Sequence, residues 1–325
     1  MMARRKGLPL KVLVFVVLIA CATFVSAQQT RDTKDLVPTG KGWGVASEYA
    51  PDRVDHAGVS GNAGLARITC PNGICNHGGP VMGSSPNIYY IWYGNWSGSG
   101  TSHPISDSPN TKGLLNTFLN GLTGSSYEHI NTTYSISGTA ITGNVTNGGD
   151  ASDNYSHGTA LSDSAVQAVV AAQISSGALP ADTNGVYFVL TSSDVNETSG
   201  FCTQYCGWHT HGTIGGKDIK YAFVGNPDRC PSACEYQTTS PNNDSGADGM
   251  ASIIAHEQEE AISDPDLNAW YDRRGEENAD KCAWTFGTTH TASNGSLYNI
   301  TLANTNYLIQ RNWVNAGGGS CAMSY

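Results

Sequence analysis

Two unbroken runs of aromatic and β-branched residues, NIYYIWYGNW (87–96) and GVYFVLTSSDV (185–195), read as buried strands. KYAFVGNP (220–227) follows as a further strand. Helical patterns alternate with them. DSPNTKGLLNTFLNGL (107–122) sets Leu114, Leu115, Phe118, Leu119 and Leu122 at helical spacing behind an Asp or Ser cap. LSDSAVQAVVAAQISSG (161–177) reads as a capped amphipathic helix, and SGADGMASIIAHEQEEAISDP (245–265) as a helix stopped by Pro265. The stretch 130–158 is polar and Thr-rich, with room for short strands. Strands alternating with helices predict an α/β domain, with α+β as the alternative: a mixed central sheet with helices packed on it.

The N-terminus carries Arg4, Arg5, Lys6 and Lys11, then an apolar run from Val12 to Val25 and the small-residue exit Val25-Ser26-Ala27. That is the pattern of a cleavable secretory signal over 1–27. No later segment reaches the roughly 20 apolar residues of a membrane helix, so no membrane insertion is expected after cleavage. Residues 28–69 are polar without a sustained period and read as a flexible arm or propeptide, leaving 70–325 as one domain.

Of nine cysteines, Cys21 leaves with the signal, and Cys70, Cys75, Cys202, Cys206, Cys230, Cys234, Cys282 and Cys321 remain. An even set in an exported chain predicts disulfide-stapled loops. The simplest pairing is 70–75, 202–206, 230–234 and 282–321, although spacing alone does not determine connectivity. Sequons start at Asn95, Asn131, Asn144, Asn154, Asn196, Asn243, Asn294 and Asn299, the pattern of a glycosylated surface. With 14% charged residues and a formal net charge of −10, the chain lacks the clustered Lys and Arg that nucleic acid requires.

The chemistry concentrates in AHEQEEAISDPDLNAWYD (255–272). This is the zinc-binding HExxH helix with Glu260 in place of the second histidine. One helical turn separates His256 from Glu260, so both can chelate one ion. Zinc accepts carboxylate oxygen as well as imidazole nitrogen. Glu257 is the candidate catalytic base that takes a proton from metal-bound water. The third ligand is drawn from Asp280, then Asp264, then Glu277 and Asp266, with Asp280 favoured because Cys282 anchors its loop. The same acids also fit an ordinary solvated face. His209, in CGWHTH, is a candidate ligand or supporting residue, as is Glu277. Asn242, Asp244 and Asp248 form a turn into the helix, with Asp248 the candidate cap; their spacing does not match an EF-hand.

HGGPVMGSSPNIYYIWYGNW (77–96), FCTQYCGWH (201–209), FVGNPDRCPSAC (223–234) and SPNNDSGADGM (240–250) resemble, in order, the phosphate-induced protein 1 or EXORDIUM-like family. The resemblance spans about residues 76–325 and implies a secreted, wall-associated protein without a settled biochemical activity. The HExxE helix departs from the plant pattern, resembles a non-plant, microbial branch, and is locally similar to the active helix of zincin metallopeptidases. Two functions follow. One is a secreted zinc-dependent hydrolase, a peptidase with Glu257 as base. The other is a non-catalytic extracellular or cell-wall protein that binds polysaccharide or a receptor, with any metal structural; the partner expected is an extracellular protein, peptide or cell-wall polysaccharide.

Overall fold

The computed structural model describes residues 34–41, 46, 63–66 and 70–325. The signal segment read at 1–27 and most of the arm at 28–69 lie outside the described residues.

Five strands make the central sheet: β1 (Asn87–Tyr93), β2 (Thr146–Asp153), β3 (Gly185–Thr191), β4 (Gly207–Ile214) and β5 (Lys217–Gly225). Their order is β2-β1-β3-β5-β4. The first four in that order run parallel, and β4 closes one edge antiparallel to β5. The sheet is therefore mixed, as expected. β1 and β3 are buried along almost their whole length, which explains their unbroken apolar runs.

Three helices cover it: α1 (Pro109–Leu122), α2 (Asp163–Ser175) and α3 (Ser245–Ser263). The chain passes from β1 through α1 to β2 on one side, then through α2 to β3 on the other. Right-handed crossovers in opposite directions put α1 and α2 on opposite faces. The packing agrees: α1 lies against α3, and α2 against β3 and β5. Ser108 and Ser162 cap α1 and α2 through their side chains. At α3 the cap is Asp244, which accepts the Ala247 N–H, and not Asp248. Asp248 instead accepts the Asn242 backbone and side-chain N–H groups, tying down the turn. No described helix is long and apolar enough to cross a membrane.

Two strands escaped the sequence reading. β2 (TNGGDASD) is a polar edge strand, mostly exposed or half-buried, so apolar periodicity could not reveal it. β4 carries two histidines and two glycines, and its pairing with β5 from Gly207↔Val224 to Ile214↔Lys217 makes it a strand.

That pairing also corrects the disulfides. Cys70–Cys75 and Cys282–Cys321 form as read, but the other four cysteines pair as Cys202–Cys230 and Cys206–Cys234. Antiparallel β4 and β5 bring the chain before Gly207 alongside the chain after Gly225. The two CxxxC segments thus become two rungs, with Cα separations of 5.8 and 5.6 Å.

The sequons divide by their amides. Asn154 and Asn243 are exposed. Asn131 is fully buried and donates to Glu128 Oε1, and Asn299 donates to the Phe286 and Ile309 carbonyls. Both amides are engaged inside the fold.

Glu235, next to Cys234, is buried with no hydrogen bond to either carboxylate oxygen. Burial and the neighbouring Asp228 push its acid up to about 9, against about 4.3 in an unfolded chain. Folding therefore favours the protonated acid: that stability is fully present below about pH 4.3 and is lost as pH rises through about 9. Glu235→Gln is expected to flatten this decline. In thermal melts at pH 5 to 9 the Tm gap should open in the variant's favour, by about 2–4 °C for each kcal/mol relieved. Parallel curves would show that Glu235 does not carry the effect.

Candidate metal centre

All but two of the 19 residues of α3 are buried, because the helix is covered on several sides. It packs on β4 and β5, on α1, and on C-terminal segments. Gly207 permits the close approach to β4: a Cβ there would lie 2.6 Å from Ile253 Cγ2 and 3.0 Å from Glu257 Oε1. Glu257, Glu259, Glu260 and Asp264 are therefore not a solvated face. Each is 2% exposed or less.

On one side of the helix, His256 Nε2 lies 3.0 Å from Glu260 Oε1 and 3.4 Å from Asp280 Oδ1. These three donor atoms fall within 4.8 Å of one another. Donors about 2.0–2.1 Å from a tetrahedral ion stand about 3.3–3.4 Å apart, so the triad has the dimensions of a coordination face. The one-turn spacing along α3 supplies two of its members. The loop that ends in Cys282 supplies the third, and the Asp280 N–H donates to Glu260 Oε1 (3.0 Å).

His256 Nδ1 faces Gln310 Oε1 at 3.3 Å, and the Trp284 N–H donates to the same oxygen. A neutral ring that gives its Nδ1 proton to Gln310 turns its Nε2 lone pair toward Glu260 and Asp280. Gln310 was absent from the sequence reading. It lies 54 residues away with no motif around it, and only the fold brings it near.

His209 enters from β4. Its Nδ1 lies 3.3 Å from Glu257 Oε2 and 3.5 Å from Glu260 Oε2, and its Nε2 lies 3.5 Å from Glu277 Oε1. Its backbone N–H donates to the Gly40 carbonyl, so Gly40 lies against the start of β4. Lys41 extends this contact through an ion pair to Asp163 and a hydrogen bond to Ser199. Cys206, just before this strand, is bridged to Cys234.

The remaining ligand candidates separate. Asp264 closes the end of α3, where its Oδ1 accepts the Asn268 and Ala269 N–H groups at 2.6 Å, and it belongs to none of the three-donor groups among the described residues. Asp266 turns away to Lys220 (2.8 Å). Glu277 is fully buried and accepts no hydrogen bond at either oxygen.

The electrostatics follow from crowding. Burial raises every acid here, and mutual repulsion adds to it. Glu277 stands well above the usual carboxylate range, through burial and then Glu260. Asp280 rises to about 6 for the same two reasons, and Glu257 to about 7 through burial. Glu260 is the exception: burial would raise it, but His256 and His209 draw it down to about 2. His209 mirrors this, since burial would lower it while Glu257 and Glu260 hold it up to about 10. Glu260 thus remains a carboxylate between two imidazoles.

On the far side of the helix, Glu259 is held by Asn312, and Glu128 by Gln258 and Asn131. That network has no imidazole and is an internal polar clasp.

A family model described as "Phosphate-induced protein 1 conserved region" matches residues 74–313, a span that includes His209, α3 and Asp280. The chain is 32% identical over 278 residues to Protein EXORDIUM-like 3 of Arabidopsis thaliana, covering 73% of this chain and 79% of that one. It is 36% identical over 224 residues to Protein EXORDIUM-like 5 of the same plant, covering 60% and 58% respectively. Protein PHOSPHATE-INDUCED 1 of Nicotiana tabacum is 34% identical over 116 residues, or 30% of this chain and 36% of that protein. No solved structure matches the chain.

Proposed function

The chain belongs to the phosphate-induced protein 1 (EXORDIUM-like) family, and from that premise we propose that it is an extracellular protein holding a divalent metal ion at His256, Glu260 and Asp280. The observation that carries this reading is the convergence of the three donors at coordination spacing in a site where none is more than 5% exposed. An ion there joins α3 to the loop closed by Cys282–Cys321, which makes it a structural staple. Three protein donors leave a fourth position for water, but burial of all three closes that position to a substrate, which favours the staple. Four disulfides and the N-terminal export pattern support an oxidising, extracellular location. The partner is then an extracellular protein, peptide or wall polysaccharide met at the outer surface.

One observation favours the second reading, a metal-dependent hydrolase. Glu257 adjoins the ligand His256 and turns its carboxylate to His209, as a general base held by a histidine would. Zinc is the ion expected for either reading, because the set mixes imidazole and carboxylate.

Metal analysis of protein purified without chelator tests the staple, with near-stoichiometric zinc and a Tm lowered by chelation expected. Metal-free protein with a chelator-insensitive Tm would overturn it. Incubation with peptide libraries separates the two readings. Products made by the wild type and lost in Glu257→Gln, with the fold intact, would establish the hydrolase in place of the staple.

A further inference from the structure

We propose that the centre takes two divalent ions, bridged by Glu260, with His209 and Glu257 completing the second position. The inference rests on the metal-binding reading above and extends it from one ion to two.

The geometry repeats across Glu260. Its Oε1 faces His256 Nε2 at 3.0 Å, and its Oε2 faces His209 Nδ1 at 3.5 Å. His209 Nδ1, Glu257 Oε2 and Glu260 Oε2 form a second three-donor group within the same 4.8 Å limit, with His209 3.3 Å from Glu257. These spacings match those of the first group and the roughly 3.3–3.4 Å between donors on one tetrahedral ion. One carboxylate with an imidazole at each oxygen is the arrangement of a bridged pair, whose ions stand about 3.5–4 Å apart.

Each imidazole is supported in the same manner. Ligating histidines commonly give their second N–H to an acceptor that sets the ring. For His256 that acceptor is Gln310 Oε1. For His209 it is Glu277, whose Oε1 stands 3.5 Å from Nε2. A small movement of the His209 ring closes that distance to a hydrogen bond, which would account for a fully buried glutamate otherwise without one. Glu260 Oε2 is likewise buried without a hydrogen bond, and it is the atom the second ion would claim.

Burial of the donors points the same way. Five carboxylates (Glu257, Glu260, Asp264, Glu277 and Asp280) share this interior with two imidazoles, and a buried acid is costly unless it is paired or holds a metal. The other three-donor group, His211, Asp218 and Asp266, differs on this point. Lys220 already bridges its two carboxylates, and the group is half exposed, so it is a neutralised surface ion network.

The donor chemistry, one nitrogen and two oxygens per position, suits zinc, manganese(II) or iron(II). The test uses the full, disulfide-intact secreted chain, loaded with zinc and passed through gel filtration. Two retained zinc ions per chain are expected, falling to one in His209→Ala. Manganese-loaded protein provides a readout that needs no variant, since two ions sharing a carboxylate give an exchange-coupled paramagnetic resonance spectrum. One zinc per chain with an uncoupled manganese signal would overturn the second ion and leave the single-ion reading standing. No retained zinc would overturn both.

Discussion

On the metal-binding reading, Glu260→Ala is expected to abolish metal binding at the centre and to lower the Tm by on the order of 10 °C. Glu260 is the one acid that faces both imidazoles, and its Oε1 also accepts the Asp280 N–H. Its loss leaves two histidines buried among acids without the carboxylate that separates them. Removing one partner of a buried ion network costs about 3–5 kcal/mol. For a domain of this size each kcal/mol is worth about 2–4 °C. The diagnostic comparison is the response to chelator. Wild-type protein should lose stability on metal removal, whereas the variant, already metal-free, should show no further change. A variant that retains its metal, or melts within about 2 °C of the wild type, would show that Glu260 is not the shared ligand.

The second large effect belongs to the disulfide rungs. The double variant Cys206→Ala, Cys234→Ala opens a loop with a sequence separation of 28. Chain-entropy estimates for a loop of that length give about 3–4 kcal/mol. Both sulfurs are buried beside the β4–α3 contact, so lost packing adds to the loss of constraint. Removing Cys70–Cys75, with a separation of 5, should cost less, about 2 kcal/mol. Thermal melts of the two double variants test the ordering, and equal losses would contradict it. Proteolytic mapping under non-reducing conditions should recover Cys202 joined to Cys230 and Cys206 to Cys234. Peptides with the local CxxxC pairings would refute the register of β4 against β5.

How legible the fold and site were differs by element. β1, β3 and β5 could be read because a strand buried on both faces must be apolar at nearly every position. α1 and α2 could be read from helical spacing behind a serine cap. β2 could not, since an edge strand with polar side chains has the composition of a loop. β4 was hidden for a different reason: its residues are chosen for what they meet, with His209 facing acids and Gly207 making room for α3. The acids of α3 illustrate the limit most clearly. His256, Glu257 and Glu260 are visible as a motif, yet the same letters suit a solvated helix face.

Local sequence by itself determined the elements that satisfy their own physics: the buried strands, two capped helices, the even cysteine set, and the one-turn pairing of His256 with Glu260. Those features depend on periodicities of two and 3.6 residues, which a chain displays without folding. Only the tertiary structure decided which cysteines meet, that Asp280 closes on α3 while Asp264 and Asp266 are used elsewhere, and that His209 and Gln310 join the centre. Most of these are encounters between residues tens of positions apart. What sets them is which surfaces exclude water together and which buried charges must find one another, and no short stretch of the chain carries that information.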